Sequence, residues 1–184
     1  QRVAREDRVR GLRATLSLAC ALLLSACAHV GERTSLGSSP LVAMTYNIRL
    51  DLASDGANAW PNRKNMVAAL IGHEAPDILG MQEVLAGQKH DLEEALPSYR
   101  FVGVGRDDGG DAGEFSPLAW RNDRFVLEDW GTFWLSQTPG NPGKGWDAAY
   151  PRIATWAILR ERTGGQALRV LNTHFDNVGQ VARE

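Results

Sequence analysis

Two strand-like segments, RIATWAILR (152–160) and ALRVLNTHF (167–175), flank Thr163-Gly164-Gly165, and this pairing constrains the fold more than any other feature of the chain. Both are rich in β-branched and apolar residues, and a short glycine-containing connection between such runs is a hairpin signal. The second strand does not fade into ordinary turn residues. It ends in LNTHFDN (171–177), which presents Asn172, Thr173, His174 and Asp176 almost together.

The rest of the chain repeats that habit. LVAMTYNIRL (41–50) reads as a buried strand that turns polar at Asn47. A loop rich in Gly, Asp and Asn (51–59) leads to WPNRKNMVAALIGHEAP, where Pro61 suits a first helical turn. Met66, Val67, Leu70 and Ile71 fall on one face of that helix, which stops at Pro76 and Asp77. ILGMQE (78–83) is a short apolar strand ending in Gln82-Glu83. A second amphipathic helix, about 86–96, carries Leu92, Ala95 and Leu96 inward and ends at Pro97. RFVGVG follows as a strand, then a flexible Gly/Asp loop (106–113), then the strands FSPLAWR and FVLEDWGTFWL and a long Gly/Pro/Asn loop (136–150). The final NVGQVARE is a candidate helix start. There is no internal repeat. Trp60, Trp130, Trp134 and Trp156 are read as fillers between sheet and helix layers. Trp146, in the Gly/Pro loop, is the candidate for a cleft wall.

The 184 residues suffice for one domain with a sizeable core. Residues 1–27 read as a targeting segment, because Arg8, Arg10 and Arg13 precede a weakly polar-to-apolar stretch from Ala14 to Ala26. That stretch is too short for a bilayer core, which takes about 20 residues. It ends in LSAC (24–27), which resembles a bacterial lipobox and makes Cys27 the expected lipid attachment point; the alternative is a plain signal with an incidental cysteine. Cys20 fits less well, with Ser17 where the motif wants an aliphatic residue. Residues 28–40 form a Ser/Gly-rich tether, and 41–184 carry the folded domain. No cysteine follows Cys27, which excludes an intrachain disulfide or a thiolate metal site in that domain. The segment after Cys27 has a net charge of −5 and only three lysines, so it is not built as a general polynucleotide binder.

Three of the polar strand ends, Asn47, Glu83 and His174, can meet in one pocket if the strands share an edge. Glu83 closes an almost wholly apolar run, where a carboxylate is costly unless paired or ligating a cation. An oxygen ligand with little His and no Cys nearby favours Mg²⁺ or Mn²⁺ over zinc.

These strand ends carry a family resemblance. TYNIR, DILGMQEV, GEFSPLAWR, GWDAAYPRIATWA and LNTHFDN, in that order from about Leu41 onward, resemble the endonuclease/exonuclease/phosphatase family, with a fold like that of pancreatic deoxyribonuclease. WPNR and GWDAA resemble its secreted or periplasmic metal-dependent hydrolases. The resemblance implies an α/β, four-layer αββα sandwich of two mixed sheets with helices outside. It implies that Glu83 is the metal carboxylate and that Asn47 hydrogen-bonds near metal and phosphate. His174 then contacts a phosphoryl oxygen or helps protonate the leaving group, and Glu114 orients His174. Arg152, and more weakly Asp176, would touch substrate. The chemistry is metal-assisted hydrolysis of phosphodiester or phosphomonoester bonds. The family's GD-x-N motif and final Asp-His pair are not found by Glu184, so the chain is expected to be the first part of an enzyme, truncated at both ends and inactive alone.

Each residue also has a simpler reading. Glu83 suits a helix start, Asn47 a turn and His174 a satisfied core position. Glu114 suits an exposed loop, Arg152 a pair with Asp147, and Asp176 an N-cap. For function, the leading expectation is an exported, lipid-anchored, divalent-metal phosphoesterase, monomeric when complete, acting on a small phosphodiester, phosphorylated sugar or lipid headgroup. The alternatives are a nuclease and a non-catalytic surface-binding protein on the same fold.

Overall fold

The computed structural model describes residues 40–184; the expected signal, Cys27 and most of the tether lie outside the described residues. Strand β1 (Ala43–Asn47) pairs in parallel with β2 (Ile78–Gln82). A parallel pair needs a long crossover, and helix α1 (Trp60–Glu74) lies within it, preceded by a 3-10 turn at Ala53–Asn58. Pro61 sits in the first turn of α1, and Ala75 ends the helix in a left-handed conformation with its N–H on the Ile71 carbonyl. After helix α2 (Ala86–Ala95), β3 (Tyr99–Val102) and β4 (Leu118–Arg121) complete a first sheet in the order β1-β2-β4-β3. The second sheet has the order β5-β6-β7, from Phe125–Trp134, Ile153–Glu161 and Ala167–Thr173. The hairpin across Thr163-Gly164-Gly165 is present as the antiparallel pair β6–β7.

The architecture is α/β, two sheets with helices outside, and both helices contribute to the core on the outer face of the first sheet. The first sheet is mixed. Among the described residues the three strands of the second sheet pair antiparallel.

Strand β2 shows how the layers are built. Its five residues are all buried, and their alternation splits them between two cores. Leu79 and Met81 pack with Val67, Ile71 and Leu92 of the helices, whereas Ile78 packs with Trp120, Phe125, Ala157 and Leu159 against the second sheet.

Helix facing departs from expectation in two places. In α1 the inward residues are Trp60, Val67 and Ile71, while Met66 and Leu70 are exposed. At about 100° per residue, Trp60 lies almost directly above Val67 and Ile71. Burying that indole sets the helix phase and turns Met66 and Leu70 outward. In α2, Leu92 and the neighbouring Leu96 are buried but Ala95 is exposed, because Gln88 takes the inward position one turn before Leu92. Trp130 is also substantially exposed, unlike the buried Trp60, Trp120 and Trp134. NVGQVARE forms only a short 3-10 turn at Val181–Arg183.

Candidate active site

Strand β2 delivers Glu83 to the sheet edge in an unusual backbone state. Glu83 has a φ of 57°, and a non-glycine residue held there costs about 1–3 kcal/mol. The chain around it is fastened. Ile48 donates to the Gln82 carbonyl, and Val84 forms an antiparallel bridge with Phe115. That bridge brings the Glu114-Phe115 segment to the edge at which Glu83 follows β2.

The Glu83 carboxylate receives two amide donors. Asn47 donates its side-chain Nδ2 to Oε1 at 2.8 Å, and Leu50 donates its backbone N–H to Oε2 at 3.3 Å. Among the described residues, no Lys or Arg forms an ion pair with it. A half-buried carboxylate whose hydrogen-bond donors are neutral amides suits a hard cation. No group of three His, Cys, Asp or Glu side chains that could hold a metal occurs among the described residues. The Glu83 carboxylate fits a hard divalent cation, which takes one or two carboxylates and keeps several waters.

His174 reaches this edge from the other sheet. Leu168 and Val170 on β7 pack into the core between the sheets, and Asn172 continues their face. Asn172 is the fastener. Its Nδ2 donates to the carbonyls of Met81 (2.7 Å) and Pro117 (3.0 Å), and its Oδ1 accepts from Gln82 Nε2 (2.8 Å). Gly80 makes room for it, since a Cβ at that position would lie 2.7 Å from Asn172 Oδ1. Two residues after this stitch, the half-buried His174 stands with Nδ1 at 4.0 Å from Glu114 Oε2 and without a hydrogen-bond partner among the described residues.

Glu114 is held on its other oxygen by Arg106, whose guanidinium lies 2.9 Å from Oε1. The expected flexible loop 106–113 is in fact closed by backbone bonds from Arg106 to Glu114, Asp107 to Ala112 and Gly105 to Gly110. Gly113, at a φ of 81°, lets the loop fold back on Asp107, whose carboxyl carbon would be 2.5 Å from an added Cβ. The Arg106 guanidinium stacks 5.0 Å from the Tyr150 ring centre, and its carbonyl accepts from Trp134 Nε1 at 2.7 Å. The sequence alone assigned no role to Arg106, and none to Asn172 beyond its place among the polar residues of LNTHFDN. Arg106 had a signal, as the one cation among the acids of GRDDGGDAGE; Asn172 had none beyond its place in NTH.

Burial lowers the His174 pKa below the usual imidazole value, and the nearby Arg152 lowers it further, partly offset by Glu83 and Glu114. The neutral ring is thus favoured in the free protein. Arg152 is buried and pairs with Asp176 at 3.0 Å, not with Asp147 as its simpler reading had it, and it also reaches Asn177 Oδ1 at 3.2 Å. Asp147 instead accepts from the N–H groups of Val181 and Ala182. Asp176 is wholly buried and accepts from Ala149, Val178, Gly179 and Arg152. Burial alone would raise its pKa, but these four donors outweigh burial and hold the carboxyl well below the usual carboxylate range. Trp146, at a φ of 47°, and Tyr150 are both about half exposed.

Two stacked sheets with helices outside bring Asn47, Glu83, Glu114 and His174 to one strand-end site. The Endonuclease/Exonuclease/phosphatase family profile matches residues 44–168, and the chain belongs to that family. A Bacteroides vulgatus endonuclease/exonuclease/phosphatase structure is similar at 45% identity and a TM-score of 0.78, covering 79% of this chain and 56% of that one. A mannosyl-6-phosphatase of Bacteroides thetaiotaomicron is similar at 41% identity and a TM-score of 0.76, covering 78% and 55%. An uncharacterized mimivirus protein, R895, is 30% identical over 123 residues, which is 56% of this chain and 18% of that protein. The chain thus spans little more than half the length of these solved relatives, and less of the viral one.

Proposed function

We propose that the full-length protein is a divalent-metal-dependent phosphoesterase acting on a small phosphorylated substrate, a phosphorylated sugar before a polynucleotide. The observation that carries this reading is the Glu83 carboxylate, fixed by two neutral amides and left without an ion-pair partner among the described residues. Glu83 would hold Mg²⁺ or Mn²⁺, with Asn47 fixing the carboxylate. The cation, when bound, supplies positive charge against the oxyanion that develops in phosphoryl transfer.

The chain's own residues divide the remaining work. A phosphoryl dianion entering beside His174 adds negative charge that favours the imidazolium. Nδ1–H then faces Glu114, and Nε2–H is available to a phosphoryl oxygen or the leaving group. Arg106 keeps Glu114 in place. Arg152 and Asp176 support the site by fixing the 147–149 and 176–179 segments, and Arg152 adds positive potential toward the phosphate. The sugar-phosphate preference is supported by the net −5 charge after Cys27 and by the likeness to a mannosyl-6-phosphatase.

Export and a lipid anchor at Cys27 belong to the same proposal, supported by the LSAC segment. In a bacterial host, wild type should partition with membranes and Cys27→Ala should not; equal soluble fractions would refute the anchor. For activity, the full-length protein with Mg²⁺ should release phosphate from mannose 6-phosphate faster than it cleaves single-stranded DNA. Faster DNA cleavage would establish the nuclease instead, and no turnover of either substrate would refute the enzyme.

A further inference from the structure

The WPNR segment marks the chain's resemblance to one group of hydrolases, yet none of its residues enters the site described above. Its arginine has an unusual occupation. Arg63, in the first turn of α1, spends its guanidinium on main-chain carbonyls: Nη1 on Ile48, and Nη2 on Arg49 (2.5 Å) and Leu50 (3.3 Å), with Nε on Asn58 (2.8 Å). Its flat face lies 5.2 Å from the Trp60 ring centre, and Trp60 is anchored by its Nε1 on Asp91 at 2.7 Å. From the second helix, the fully buried Gln88 adds a further donor, Nε2 to the Arg49 carbonyl at 2.9 Å.

The bonds to the Ile48, Arg49 and Leu50 carbonyls converge on the turn that carries the Glu83 donors. Arg49 has a φ of 61°, a state that a non-glycine residue keeps only when its surroundings impose it. Its N–H returns to Asn47 Oδ1 at 2.9 Å, which orients the Asn47 amide so that Nδ2 points at Glu83 Oε1. The next residue, Leu50, turns its N–H to Glu83 Oε2. Both carboxylate oxygens are therefore set by a four-residue turn whose middle carbonyls are gripped by Arg63 and Gln88.

We propose that Arg63 and Gln88 are positioning residues for the Glu83 carboxylate: a carbonyl clamp, one arm from each helix, that sets how tightly a divalent cation is held there. This rests on the reading of Glu83 as the cation ligand. An outer partner of a ligating carboxylate changes metal affinity by about 10–100-fold, so the clamp is expected to act on that scale. A lysine at position 63 would rescue only part of the effect, because one ammonium cannot match the planar fork that spans three carbonyls.

The test titrates Mn²⁺ into the full-length protein by calorimetry, beside the thermal midpoint of the metal-free protein. Arg63→Met and Gln88→Met should each weaken Mn²⁺ binding about 10–100-fold in folded protein, with Arg63→Lys between them and wild type. Glu83→Gln should weaken it further. If Glu83→Gln leaves Mn²⁺ affinity unchanged, the reading of Glu83 fails. If Glu83→Gln weakens binding while Arg63→Met and Gln88→Met lower only the thermal midpoint, the clamp is purely structural and the inference is overturned. Should the methionine variants not fold, Arg63→Lys decides: wild-type Mn²⁺ affinity rejects the clamp, and a measurable loss supports it.

Discussion

Strand β2 has an acid at each end, and the two are treated differently. Asp77, just before Ile78, is buried and paired: Arg124 lies 2.6 Å from Oδ2, Arg121 lies 3.9 Å from Oδ1, and Val42 donates its N–H at 2.8 Å. Arg124 in turn binds Glu161 at 3.1 Å, which ties the two sheets together at that end. Glu83, just after Gln82, receives only the Asn47 and Leu50 amides among the described residues and sits in a left-handed backbone conformation. Across the gap, His174 Nδ1 has no hydrogen-bond partner among the described residues. One end of the strand is neutralised by the protein itself. The other is oriented by neutral amides. A buried acid that is fully paired serves the fold, whereas one oriented by neutral groups is ready for a ligand's charge.

The largest effect that could break this contrast is catalytic. In the full-length protein, His174→Ala should lower kcat by ~10²–10⁴, the range for losing a positioned proton donor or oxyanion contact, while Mn²⁺ affinity stays nearly that of wild type. Steady-state kinetics with a phosphorylated sugar checks the first and calorimetry the second. Unchanged turnover would remove His174 from the chemistry.

Next is the stability of the closed end. Asp77→Asn should cost about 3–5 kcal/mol in denaturant unfolding, because it leaves the partner guanidiniums facing a buried neutral amide. Glu83→Gln, which removes no ion pair, should cost far less. Equal losses would erase the distinction between the two ends.

A smaller effect is expected at the stitch between the sheets. Asn172→Ala leaves the Met81 and Pro117 carbonyls and the Gln82 amide short of a partner, for about 1–3 kcal/mol. It should also lower kcat, since His174 is carried two residues beyond the stitch. A stability loss with full activity would show that His174 finds its place without it.

The finest test is the titration of His174 followed by ring NMR. Its folded pKa should lie below the ordinary imidazole value of about 6.5, and Glu114→Gln should lower it further, because Glu114 is one of the groups that raise it. The sign for stability follows from linkage. The unfolded chain takes up the proton first, so this histidine costs no stability above pH ~6.5 and an increasing amount as pH falls from there toward the folded pKa. A titration at or above the ordinary value would mean that the burial and the Arg152 charge do not control the ring.

Much of this was legible in the linear chain. The β6–β7 hairpin follows from strand propensity around Gly164-Gly165, and the ends of α1 follow from Pro61 and Pro76, because these are local backbone preferences. Asn47, Glu83 and His174 stand out because a polar residue ending an apolar strand is a local anomaly. The structure then decided what no window of sequence contains. Trp60 fixed the rotation of α1 and left Met66 and Leu70 exposed, since helix phase depends on which large side chain the core accepts. Arg152 found Asp176 rather than Asp147 because loop closure, not sequence spacing, sets which carboxylate is buried beside it. Arg63, Arg106 and Asn172 gained their roles from contacts that join different loops, helices and sheets. Sequence by itself determined which groups are costly to bury. Tertiary structure alone determined which of them are neutralised, because an ion pair or hydrogen bond depends on distances of a few ångströms between residues far apart in the chain.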